Sequence, residues 1–216
     1  MAKQPDITRE LILQAAFCEI HRHGYQAASI VDILAVTQMT KGALYHHFPG
    51  KQEMGLAVID EVIRDRLEEK LMRPLRLSAD PVAALLKLIR DTAARTGAEE
   101  VNLGCPLNNL MQEMSPLDAA FKQRLMGILG DWQDTVAAAL ARGQRDGTVR
   151  ADVDCRAAAL FIVSSWEGCT GVAKNAQSVA VFQSCLQQLH DYVAGLRVAE
   201  TDGDARRAGS SKVATA

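Results

Sequence analysis

The 216-residue sequence is 48% hydrophobic and 23% charged, a balance typical of a protein with a buried core. The net charge of −2 argues against a generic basic coat for nucleic acid. Aromatic residues make up only 5%, so Leu, Ile, Val, Ala and Met must fill a core that suits helices better than sheets, and no apolar run approaches the length of a membrane span.

The five cysteines indicate a reducing compartment. Their number is odd, no pair has C-x-x-C spacing and no secretory signal precedes them, so we predict reduced thiols in a cytoplasmic protein that makes no contact with a membrane. The cysteines are Cys18, Cys105, Cys155, Cys169 and Cys185.

The front of the chain predicts three short helices, because apolar residues recur at helical spacing and are punctuated by helix caps and stops. Ser29 opens a capping box with Asp32, Thr40 is a second cap, and Pro49 breaks the third helix. The three helices are expected at about 11–24, 29–35 and 41–47.

A longer amphipathic helix is predicted to run from Lys51 towards Pro74, and five more follow it. One of them is marked by Asp80-Pro81, a cap followed by proline at the first helical position. The five are expected at about 81–97, 106–114, 115 to 143 or 147, 154–175 and 178–196. No convincing strand pattern is present, so we predict an all-α fold of about nine helices.

The stretch KGALYHHFPGK, residues 41–51, indicates a helix-turn-helix motif. In that motif the second of two short helices enters the major groove of DNA. Leu44 and Phe48 lie four residues apart and are expected to point into a small core. The residues then left on the outer face are Lys41, Gly42, Tyr45 and His46. Lysine and the first amides of the helix attract phosphate, and glycine permits a close approach.

Two alternatives remain for this stretch. His46 and His47 could bind a metal, but adjacent helical residues diverge by about 100° and no further ligand has a useful spacing, so we expect no metal. Tyr45 could be an ordinary packed aromatic residue that exposes only its hydroxyl.

Residues 9–55 resemble the N-terminal domain of the tetracycline-repressor (TetR) family of transcription regulators. The matching residues are Arg9, Ile12, Ala15, Ala16, Gly24, Tyr25, Ser29, Ile33, the run from Lys41 to Phe48, and Lys51. The resemblance implies phosphate contacts from Ser29, Tyr45, His47 and Lys51. It also implies positions at or near base edges for Thr40, Lys41, Gly42 and His46.

The chain departs from the family in the turn of the motif, where Gln38 stands in place of the usual glycine. If the turn needs a positive φ at this position, glutamine costs very roughly 1 kcal/mol.

The family resemblance also sets the expected domains: a DNA-binding domain over 1–50, a connecting helix over 51–73, and a ligand-binding and dimerisation domain over 74–198. Residues 199–216 have no apolar period, so we predict a disordered tail there. Proteins of this type pair through their last two helices, and small residues here would allow close approach: Ala157, Ala158, Ser164, Ser165, Gly168 and Gly171. Packing of these helices within one subunit is the alternative.

Two segments of the larger domain, GCPLNNLMQEM from residue 104 and WEGCTGVAK from residue 166, resemble one TetR branch. Some members of that branch respond to small electrophiles or unsaturated acids. A lysine near Cys105, and the first amides of the next helix, would lower the pKa of its thiol. We therefore predict an apolar pocket with the Cys105 thiol at its mouth as a sensor. The residues predicted for this site are Cys105, Met111, Met114, Phe121, Trp132, Trp166 and Lys174. Inert core packing is the alternative for these residues.

The sequence predicts a homodimeric regulator of transcription without cofactor or enzymatic activity. It would bind a palindromic operator in double-stranded DNA and act as a repressor that a small apolar or electrophilic effector releases. Two other classes stay open: an enzyme that uses a cysteine nucleophile, and a helical adaptor that binds another protein.

Overall fold

A computed structural model describes residues 7–199 of the chain. These residues are folded into helices joined by short turns, and the all-α prediction is confirmed. One isolated antiparallel β-bridge, between Val149 and Arg197, is the extent of β-structure in this range. No helix in the same range is long and apolar enough to cross a membrane. The predicted disordered tail lies outside the described residues except for its first residue.

Three helices form a small head: α1 (Ile7–His23), α2 (Ile30–Thr37) and α3 (Lys41–His47). Their inward sides are apolar, and Ile33 of α2 and Leu44 of α3 are fully buried against α1. We define the head as residues 7–50 and the rest of the described chain as the body.

The turn between α2 and α3 has the left-handed conformation that glycine usually supplies. Gln38 ends α2 with a φ of 56°. The expectation of a positive φ at this position is therefore confirmed. The strain leaves the motif intact because both flanking helices are capped and packed.

The helix that follows the head, α4, is continuous from Lys51 to Leu77 but contains two wider, π-helical stretches. Its sections are Lys51–Ala57, Val58–Ile63 (π), Arg64–Leu67, Glu68–Met72 (π) and Arg73–Leu77. Pro74 does not end it as predicted: the helix continues to Leu77, and Pro74 lies directly after the second π-helical stretch, where the regular hydrogen-bond pattern is already altered.

Six helices complete the body: α5 (Pro81–Arg95), α6 (Ala98–Leu103), α7 (Pro106–Met114), α8 (Ala119–Arg145), α9 (Cys155–Ala176) and α10 (Val179–Ala194). The sequence pattern does not predict α6, which has only six residues. It forms because the side chain of Glu100 accepts the Gly97 N–H at 2.9 Å and so caps its start. The short α7 packs against α4 and α8 and faces the head.

Candidate DNA-binding surface and effector site

Helix α3 turns its polar side outward. Leu44 and Phe48 are 0% and 2% exposed, so they anchor the helix in the core of the head. Lys41, Gly42 and His46 are exposed on the other side. Tyr45 is 47% exposed, which does not fit the alternative of a packed aromatic ring. The geometry therefore leaves a convex polar helix face available to a partner.

Ser29 and Thr40 cap the two helices of the motif. The Ser29 Oγ accepts the Asp32 N–H at 3.3 Å, and the Thr40 Oγ1 accepts the Ala43 N–H at 3.1 Å. Each hydroxyl thus uses its oxygen for the cap and keeps its own hydrogen as a donor.

Lys51 and His47 stand at the edge of this surface. The Lys51 Nζ donates to the carbonyl oxygen of Gln26 at 3.0 Å and lies 5.0 Å from the centre of the Tyr25 ring. The rings of His46 and His47 are 5.1 Å apart, edge to face. Lys51 thus braces the start of α4 against the head, and an ammonium has two further hydrogens for another acceptor.

The surroundings of the Cys105 thiol favour its protonated form, whereas the sequence predicts a thiol that ionises easily. Burial, followed by the charge of the nearby Glu167 carboxylate, raises the pKa of Cys105 well above its usual range. The Sγ donates to Glu167 Oε1 at 3.4 Å. The predicted lowering of its pKa is therefore wrong, because burial disfavours the thiolate and the neighbouring Glu167 carboxylate adds to this effect.

The sequence pattern does not predict a role for Glu167. This side chain is only 7% exposed, and its Oε2 has no hydrogen-bond partner. Burial raises the pKa of Glu167 to about 7. One signal was available: Glu167 is the only acid in α9, a helix of 22 residues, and it stands among small and apolar neighbours.

Lys174 lies near Cys105 in the fold, as predicted, but its ammonium is used elsewhere. The Nζ donates to Asn109 Oδ1 at 2.9 Å. The aliphatic part of the Lys174 side chain passes close to the backbone at Gly104. A Cβ on Gly104 would lie 2.8 Å from the Lys174 Cδ. Gly104 has a φ of 73°, so a side chain is disfavoured there on two grounds.

The aromatic residues of the predicted pocket pack in two separate groups. Trp132 and Trp166 are buried with their rings 6.0 Å apart, edge to face. Phe121 is fully buried and contacts the Tyr25 ring of the head, with centroids 4.6 Å apart. Met114 is buried as well, and Met111 is partly buried.

A cavity of about 540 Å³ opens between the head and the body. Its apolar lining includes Phe17, Ile20, Ile63 and Leu110, and its polar lining includes His21, Arg22, Asn108, Asn109, Glu113 and Lys174. Lys174 is the one member of the predicted pocket that lines it. Cys105, Met111, Met114, Phe121, Trp132 and Trp166 do not line this cavity. A pocket that these six residues share with Lys174 therefore stays a prediction.

Comparisons with known proteins agree with this architecture. The model of the Tetracyclin repressor-like, C-terminal domain matches residues 81–189, and the model of the bacterial regulatory proteins, tetR family, matches residues 12–58. The chain belongs to the TetR family of bacterial transcriptional regulators. Members of this family regulate transcription and are not enzymes, so the cysteine-dependent enzyme is excluded.

Individual TetR relatives cover most of the chain. An uncharacterized HTH-type transcriptional regulator of Lactococcus lactis is 34% identical over 60% of this chain and 66% of its own length. The HTH-type transcriptional repressor DhaR of Mycobacterium sp. (strain GP1) is 26% identical over 78% of this chain and 82% of its own. The crystal structure of a TetR regulator from Chloroflexus aurantiacus superposes with a TM-score of 0.77 at 26% identity, covering 89% of this chain and 98% of that one.

Proposed function

We propose that this TetR regulator is a homodimeric repressor in which each DNA-binding domain, residues 1–50, reads one half of a palindromic operator through α3. Residues 51–73, which form most of α4, connect the head to residues 74–198. Residues 74–198 bind the effector and the second subunit. One observation carries the proposal: α3 is anchored by buried Leu44 and Phe48 and presents an exposed polar side. A helix with this exposure enters a major groove without exposing its core.

The contacts divide into two kinds. Ser29, Tyr45, His47 and Lys51 would bind phosphate and so fix the register of the head on the duplex. Thr40, Lys41, Gly42 and His46 would lie at or near base edges. Lys41, as an exposed cation in the first turn of α3, is the residue best suited to approach a guanine or a phosphate.

The proposed dimer forms through α9 and α10. Phe161 and Val172 are 50% and 56% exposed on α9, and the Phe161 ring contacts Tyr192 of α10 with centroids 4.5 Å apart. Between them lies exposed Gly168, around whose Cβ position no atom of the subunit lies within 4 Å. A helix from a second subunit would cover these apolar side chains and approach closely at the glycine.

The proposed effector site is the cavity between head and body. Its apolar floor and its hydrogen-bonding rim suit a small molecule that has both an apolar part and polar groups. A ligand in this position would separate α1 from α7, and so would change the distance between the two heads. Two α3 helices must lie one helical turn of DNA apart, ~34–36 Å or a multiple of it, to bind both half-sites.

A selection experiment tests the function. The purified protein is incubated with a pool of random duplexes, and bound duplexes are recovered and sequenced. We expect a palindromic consensus, and we expect His46→Ala to relax the preference at one position of each half-site while leaving others unchanged. Recovery of no consensus, or of the same consensus with unaltered preference from His46→Ala, would contradict the assignment of α3 as the reading helix.

A further inference from the structure

The turn that ends α1 is held by a carboxylate from the body. Glu113, near the end of α7, accepts two backbone N–H groups of the head. Tyr25 donates to its Oε2 at 2.9 Å, and Gln26 donates to its Oε1 at 2.8 Å. Both oxygens are engaged, across 88 and 87 residues of sequence. We call this contact the Glu113 clamp.

The neighbouring glycine makes room for the clamp. Gly24 ends α1 with a φ of 84°, and a Cβ at this position would lie 3.0 Å from the Glu113 Oε2. The backbone can therefore turn back towards α7 and aim the next two N–H groups at the carboxylate.

A second hydrogen bond joins the head to the start of α7. The His21 Nε2 donates to the carbonyl oxygen of Gly104 at 2.8 Å. Burial is the largest cause of a lowered His21 pKa, which favours a neutral ring that donates through this nitrogen. Helix α7 is thus connected to α1 both before its first turn and in its last turn.

Two further side chains of α7 form hydrogen bonds with α9. The Asn108 Nδ2 donates to the backbone carbonyl of Glu167 at 3.1 Å, and the Lys174 Nζ donates to Asn109 Oδ1 at 2.9 Å. Since α9 also belongs to the proposed dimer face, α7 lies between the pairing helices and the head.

We propose that Glu113 is a positioning residue, which couples the orientation of the head to that of α7 and so couples DNA binding to the body. Hydrogen bonds to an ionised acceptor are strong and directional, and a bidentate contact fixes two successive amides at once. The adjacent contact between the Tyr25 and Phe121 rings is apolar and therefore less directional than these hydrogen bonds. This inference rests on the proposed function, because it assigns the clamp a role in DNA binding.

Because the coupling free energy between two sites is reciprocal, the coupling between α7 and the head can be measured without an effector. If α7 influences the affinity of the head for DNA, then DNA bound to the head must change the stability of α7 by the same free energy. The probe is a duplex selected by the wild-type protein from the random pool, added at a saturating concentration. The observable is amide hydrogen exchange along the full chain, with and without the duplex.

In the wild-type protein we expect the duplex to slow exchange in residues 104–114. In Glu113→Gln the amides of Tyr25 and Gln26 should exchange faster even without DNA, because an amide supplies only one acceptor oxygen. The variant should bind the duplex roughly tenfold more weakly, and saturating duplex should no longer protect residues 104–114. Glu99→Gln, which alters an exposed glutamate of α6, should behave like the wild-type protein.

Retained protection of residues 104–114 in DNA-bound Glu113→Gln would overturn the inference while leaving the proposed function intact. Failure of the wild-type protein to select any duplex would refute the function, and the clamp's role with it. Should Glu113→Gln fail to fold, Glu113→Asp gives the same comparison: it shortens the side chain and keeps both acceptors, so we expect it to weaken the coupling. Wild-type coupling in that variant would overturn the inference.

Discussion

At the scale of single residues, burial of Glu167 makes stability depend on pH. Its pKa rises from 4.5 to about 7 on folding, so the folded protein holds this proton more tightly than the unfolded chain. Stability from this group is complete below about pH 4.5 and is lost as the pH rises through about 7. His21, whose pKa burial lowers from its usual 6.5, acts in the opposite direction: its neutral form is favoured on folding, so its contribution to stability is lost as the pH falls below about 6.5.

Glu167→Gln isolates the contribution of the carboxyl, since it keeps the size of the side chain and an acceptor for the Cys105 thiol. Between pH 4.5 and 8, the wild-type free energy of unfolding should fall by about 1–3 kcal/mol relative to this variant. Urea unfolding at both pH values measures the difference, with Glu69→Gln on the surface of α4 as the control. Parallel pH profiles for Glu167→Gln and wild type would show that Glu167 ionises normally.

At the scale of helices, Gly55 of α4 marks a close contact between head and body. A Cβ there would lie 2.6 Å from the Tyr25 Cε2 and 2.9 Å from the Phe121 Cζ. Both rings are confined, so neither can move away without disturbing the junction. Gly130 of α8 offers a matched comparison, since nothing lies within 4 Å of its Cβ position.

Gly55→Ala is therefore expected to lower the free energy of unfolding by about 1–3 kcal/mol through overpacking. Gly130→Ala should leave it unchanged or raise it by about 0.5–1 kcal/mol, because alanine favours the helix. Denaturant titrations of the two variants provide the test. Equal effects from both substitutions would mean that α4 does not rest on Tyr25 and Phe121 as described.

At the same scale, features that depend on nearby residues could be predicted from the sequence, and features that depend on tertiary contacts could not. Ser29, Thr40 and the spacing of Leu44 and Phe48 act within a few residues, so local pattern was enough to locate the motif and its outward face. The environment of Cys105 is different, because Glu167 lies 62 residues away and its effect depends on tertiary burial. The cavity between head and body and the Glu113 clamp likewise depend on contacts that no local spacing encodes.

At the scale of the whole molecule, the proposed dimer face on α9 and α10 makes a specific prediction. Gly168→Arg places a long charged side chain where a second subunit would approach, and the Cβ at this exposed position meets no side chain of its own subunit within 4 Å. We expect a monomer with the helical content of the wild-type protein, as measured by sedimentation velocity and circular dichroism. Gly130→Arg on α8 is the control and should remain dimeric. A dimeric Gly168→Arg would place the pairing surface elsewhere.

The central claim is that α3 binds DNA through its exposed side, and a salt titration of Lys41→Ala tests it most directly. The dissociation constant for the selected duplex is measured at several salt concentrations for wild type, for Lys41→Ala and for Lys122→Ala, which removes an exposed cation from α8. If Lys41 neutralises one phosphate per head, its loss should weaken binding to all sequences and lower the slope of log K against log salt by about 1 for each head. Lys122→Ala should retain the wild-type slope. An unchanged slope and affinity in Lys41→Ala would contradict the account.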